Sequence, residues 1–154
     1  MPRSRRLMQQ LRSDDGSASL EFITTGVLLL VPLVYLVVAV ASIQGAALAV
    51  EGAARQAARV YVQAPSSEEA DDRTTRAVRF ALADYGMRTA DAKVTVSCSP
   101  QPDACLTRNG SVTVTVRVSA PLPLVPDVLA MRSAASVPMQ ASATQKVSRF
   151  WNAG

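Results

Sequence analysis

The chain has 154 residues, a net charge of +4 and no histidine. At that length it is one domain at most, and without imidazole it has no His-based triad, no histidine general base and no common zinc site. A glycine-rich phosphate loop and a carboxylate pair set as a general acid and base are also missing from the sequence, so no enzyme, no cofactor and no bound metal is expected.

Met1–Gly16 reads as a polar leader, a processing segment rather than part of the fold. It carries Arg3, Arg5, Arg6 and Arg12 against Asp14 and Asp15, directly ahead of an apolar run. Arginines in that position hold the flanking end of a membrane segment in the cytoplasm, so the positive balance records topology and not a nucleic-acid ligand. From Phe22 to Val50 no residue is charged. That is longer than the roughly 20 residues a helix needs to cross about 30 Å of hydrocarbon. A single membrane span is expected, with everything after Val50 outside. Pro32 is the one breaker in its most apolar part, Phe22–Ala41, and predicts a kink that membrane helices tolerate. Glu21 stands at the lip of the run. A carboxylate there costs less than the about 2.5–3.5 kcal/mol of the bilayer centre, and it marks a partner or a pathway.

Gly16, four small or apolar residues, Glu21, Phe22 and an uncharged helix, all behind a short basic leader, resemble the cleavage site of type IV prepilins. The Glu21-Phe22 pair is most similar to the Flp and TadE branch, and Ala-Ala-Arg-Gln-Ala-Ala-Arg at Ala53–Arg59 resembles the segment that follows the anchor in TadE-like pseudopilins. The resemblance covers about Arg12–Arg59. It implies a cut between Gly16 and Ser17 by a prepilin peptidase, with Glu21 as the fifth residue of the mature chain. It also implies that Glu21, beside Phe22, sets subunit register by engaging the free N-terminal amine of a neighbouring pilin. The implied partners are the peptidase, other pilins and pseudopilins, the pilus assembly platform and the cytoplasmic membrane. Two other readings of the N-terminus stay open, a plain uncleaved anchor and a secretory signal cut after Ala39-Val40-Ala41 at Ser42. Against the signal stand Glu21, Pro32 and a run longer than the about 7–15 residues of a signal's apolar core.

Beyond the apolar run, Ala46, Ala47, Val50, Ala53, Ala54, Ala57, Ala58 and Tyr61 recur at helical steps, with Glu51, Arg55 and Arg59 on the opposite face. One helix from about Ser19 to Val62 is expected, half in lipid and half outside. The small residues, Gly45 and Gly52 included, suit close helix packing. They serve either assembly with other subunits or packing on this chain's own head, and the pattern favours neither.

Ala64-Pro65-Ser66-Ser67 breaks the helix. Ser67 is the expected cap of a second one, with Glu68, Glu69, Asp71 and Asp72 at its positive end, a buried stripe of Ala70, Thr74, Ala77, Val78, Ala81, Leu82 and Tyr85, and Gly86 as its stop. Arg73, Arg76 and Arg79 form a solvated face. The period then changes to two. Val94, Val96 and Cys98 form one strand, and Val112, Val114, Val116 and Val118 a second, joined as a hairpin whose long loop ends in Asn109-Gly110. Ala120–Pro126 reads as an extended connector, and Ala135, Val137, Met139, Ala141 and Ala143 as a third strand that Pro138 confines to an edge. Cys98 and Cys105 flank the hairpin loop. Outside the cytoplasm they are expected to pair as a disulfide, and two thiols without histidine are too few for a metal.

The expected fold is thus α+β: a removed leader 1–16, an anchor and helical stem 17–62, and a small head 63–154 of one helix and about three antiparallel strands. The expected function is that of a minor pseudopilin, structural rather than enzymatic, in the inner membrane or the filament. The alternative is an envelope binding module or adhesin for which the anchor is only a tether.

Overall fold

The computed structural model describes residues 17–125 and 135–152. Gly16 with the rest of the leader, and Pro126 of the expected connector, lie outside the described residues. Helix α1 spans Ser17–Val62 with Pro32 inside it, so Ser17 is already helical where the described residues begin. The chain divides into two compact units, Met1–Val38 and Ala39–Gly154. In the first, the large side chains of α1 are exposed, Phe22 at 80%. The helix is long and apolar enough to cross a membrane, and none of its most apolar 18-residue stretch is buried.

The second unit contains the remainder of α1, helix α2 (Ser67–Ala83), a 3₁₀ turn (Thr89–Asp91) and three strands, β1 (Lys93–Ser99), β2 (Ser111–Pro121) and β3 (Ser136–Lys146). The fold is α+β, as the switch from helical to alternating periodicity predicts. Helix α2 is capped by Ser66 rather than Ser67: Ser66 keeps the extended backbone that a cap requires, and its Oγ accepts from the Glu69 N–H at 3.3 Å. Ala70, Thr74, Val78 and Leu82 are buried, and Ala77 and Ala81 half-buried. Tyr85, expected in the same stripe, is instead 55% exposed. It falls within the stop itself, where Met87 N–H bonds Leu82 O and Gly86 N–H bonds Ala83 O, with Gly86 at φ +66°. This Schellman geometry ends the helical spacing before Tyr85 can follow it inward.

The sheet is antiparallel in the order β1-β2-β3. Val112, Val114, Val116, Val118 and Ala120 of the central strand are all buried, and the four valines share one core with Val78 and Leu82 of α2 and with Ala49, Val50, Ala53, Ala54, Ala57, Ala58 and Tyr61 of α1. Of the two uses open to the alanine stripe, the structure shows packing on the chain's own head. Ala57 is fully buried there, and its carbonyl accepts from the buried Thr74 hydroxyl at 3.4 Å. Ala47 is exposed, displaced by Ala49, because the buried positions follow a narrower helical stripe. Gly45 and Gly52 lie off the contact, and a Cβ added at either meets nothing within 4 Å.

Pro138 does lie on an edge strand. The connector reading of Ala120 and Pro121, however, is overturned: both are in the central strand, opposite Val137 and Ser136. Leu122 N–H bonds Ala135 O directly across, so in the alternating ladder Pro121 and Pro138 occupy the non-bonded positions and the missing donors point away from the β2–β3 pair. For Pro138 that direction is the free edge. For Pro121 it is the space beyond Lys93, where β1 has not yet begun, its first residue pairing with Arg117. A proline fits the central strand there because its missing donor has no partner to lose.

Cys98 and Cys105 form the expected disulfide across a sequence separation of 7. Replacing both by serine is expected to destabilise the head by roughly 2–3 kcal/mol through the loop entropy restored to the unfolded chain. The fluorescence of Trp151, the sole tryptophan, reads the shift in denaturation midpoint of the detergent-solubilised chain.

Candidate functional site

The residues singled out near the N-terminus fall on the first turns of α1. Ser17 is its first residue, and Glu21 follows one turn later, exposed beside Phe22. An apolar helix with no acidic residue in its first turn thus presents a single carboxylate just before its uncharged run. Among the described residues Glu21 has no ion pair. The three that occur, Arg55–Glu51, Arg73–Glu69 and Arg76–Asp72, are all one-turn pairs on helices in the second unit. Such surface pairs are worth about 0.3–0.5 kcal/mol each. The structure brings Ser17, Glu21 and Phe22 together on one helix end. The disulfide belongs to the other unit, at the start of the β1–β2 loop.

Among the described residues no group of three or more His, Cys, Asp or Glu gathers where a metal ion would be held. The hollows on the second unit are open and shallow in chemistry. One of about 410 Å³ is lined by Lys93, Arg117, Ser119, Pro138 and Gln140, and another of about 390 Å³ by Ala47, Glu51, Met139 and Ser142. Neither joins a nucleophile to a base. The solvent face of the sheet is a hydroxyl surface, with Thr113 and Thr144 Oγ1 2.8 Å apart and Thr115 Oγ1 2.9 Å from Ser142 Oγ.

A clasp made by the tail after β3 escaped the reading of the sequence. Val147 is buried and its N–H bonds Gly110 O at 2.8 Å. Trp151 Nε1 donates to Ala64 O in the α1–α2 turn at 2.9 Å, and Arg108 Nε donates to Trp151 O at 2.9 Å. Gly110 is required beneath this clasp, since a Cβ there would lie 2.7 Å from Thr107 Oγ1 and 2.9 Å from Thr107 O. The one tryptophan, in the short tail after β3, was the available signal, because an indole commonly buries its ring and finds an acceptor for its N–H.

No family model, curated protein or solved structure matches the chain.

Proposed function

We propose that the protein is a minor pseudopilin of the TadE-like kind: a structural assembly subunit of a tight-adherence pilus or a related secretion apparatus, held in the cytoplasmic membrane by Phe22–Ala41 with its C-terminal head outside. The observation that carries this reading is an exposed Glu21 within helix α1, immediately before its uncharged apolar run and five residues after the Gly16 that resembles a prepilin cleavage residue. Hydrolysis of the Gly16–Ser17 peptide bond would free the Ser17 amine. Glycine suits the residue before the cut because it brings no side chain into a tight peptidase cleft.

Glu21 then acts between subunits. A carboxylate meeting a neighbour's ammonium in a medium of low dielectric is a register device, since a misplaced subunit leaves both charges unpaired. The exposed apolar side chains of α1 support a lipid or helix-packed setting for that contact.

Intact mass and N-terminal sequencing of the protein from its own membranes, with and without a co-expressed prepilin peptidase, test the reading. The expected result is a mature start at Ser17 that depends on the peptidase. An uncut Met1 or a start at Ser42 overturns it and leaves the anchor as a tether for a binding head.

A further inference from the structure

The three strands carry no aspartate or glutamate, and their only ionisable side chains are Lys93, Arg117 and Lys146. Lys93 and Arg117 stand directly opposite one another in the β1–β2 ladder, both exposed. Like charges in that relation destabilise a sheet. Neither has an ion pair among the described residues. Arg117 Nε donates to Gln140 Oε1 at 2.6 Å, which orients the guanidinium and leaves its two terminal nitrogens for a ligand. The hollow of about 410 Å³ lies over this end of the sheet. Among the described residues the fold thus keeps a cation pair without a counter-charge, its Arg117 oriented by Gln140, where burial does not require one.

The complementary group is on the same chain. Helix α2 begins with four carboxylates, of which Glu69 and Asp72 are taken by Arg73 and Arg76. Glu68 and Asp71 are exposed and have no ion pair among the described residues. Three residues apart on a helix, they sit about 5–6 Å from each other at Cβ. The ladder alternation that bonds even-numbered β2 residues to β3 bonds Arg117 to Lys93, and such a pair has its Cα atoms about 5.5 Å apart. Two carboxylates and two cations are presented at matching spacing.

We propose that the Lys93–Arg117 end of the sheet docks a second copy of this chain through the Glu68–Asp71 ridge of that copy's α2. The cations are on the sheet face turned away from the helices and the carboxylates are on the helix layer, so the contact joins unlike surfaces. A heterologous contact of this kind repeats from copy to copy instead of closing a two-fold dimer. Its charges select partner and register more than they add affinity. The inference requires neither cleavage after Gly16 nor a role for Glu21.

The test uses the full chain in phospholipid vesicles, mixed from unlabelled and ¹⁵N-labelled protein and treated with a carbodiimide that couples amines to adjacent carboxylates. Mass spectrometry is expected to find a mixed-isotope peptide joining Lys93 to Glu68 or Asp71. Lys93→Glu/Arg117→Glu and Glu68→Lys/Asp71→Lys should each lower association about tenfold or more, and mixing the two variants should restore it with the coupling reversed. The product should persist in Glu21→Gln protein, which separates this contact from the one proposed for Glu21. Absence of a mixed-isotope product, undiminished association of either variant, or failure of the mixture to restore association with the coupling reversed overturns the proposal.

Discussion

Glu21→Gln is expected to leave the chain inserted and processed, and to abolish its assembly into pili. The substitution keeps size and hydrogen-bonding capacity while removing the charge, so a helix with Phe22, Ile23 and Leu28 exposed around an apolar stretch loses nothing that membrane insertion uses. What it removes is the counter-ion proposed for a neighbouring Ser17 amine. Leaving one member of a buried ion pair alone costs about 3–5 kcal/mol, which is roughly a hundred- to several-thousand-fold in an association constant. Electron microscopy of sheared pili and an adherence assay read the effect, with insertion checked by membrane fractionation. A Glu21→Gln cell with normal pili and normal adherence would sink the role assigned to Glu21.

Ala57→Leu is expected to destabilise the head by about 1–3 kcal/mol, the usual cost of forcing extra methylenes into a packed core. Ala57 is fully buried against the sheet and α2, and its carbonyl holds the Thr74 hydroxyl. A larger side chain has to push α2 away and break that bond. The comparison is Ala47→Leu, on the exposed side of the same helix, where the change should stay within about 0.5 kcal/mol. Denaturant midpoints of Trp151 fluorescence in detergent give both numbers. Equal effects at the two positions would mean that the stripe packs on something other than the head.

The contrast between Ala47 and Ala49 shows how far the sequence could be read. Apolar periodicity located α1, α2 and the valines of β2 because each depends on one element's own repeat. The pairing of Cys98 with Cys105, and the edge position of Pro138, depend on local chemistry and were equally legible. Pro121 was misplaced because its fit depends on where a different strand begins, and the start of β1 at Lys93 is not written near residue 121. Ser66 displaced Ser67 through a one-residue difference in backbone angle that two adjacent serines do not encode. Tyr85 continued the helical spacing, yet the turn at Gly86 came first. The Lys93–Arg117 pair was invisible for want of a register between strands. The N-terminal site stood on a motif, and the structure contributes the exposure of Glu21 on a continuous helix.

The tryptophan clasp bears on the order in which the head is completed. Trp151 and Ala64 are 87 positions apart, and Val147 reaches back to Gly110. A chain made from its N-terminus has formed α1 and α2 well before the segment that closes over their turn exists, because local helices form in about a microsecond while distant contacts wait for the chain between them. Until then Ala64 O has no indole to receive, and the loop around Arg108 lacks its tail. The head therefore stays unlatched until the segment through Trp151 has emerged, which keeps it pliable while the strands are being made.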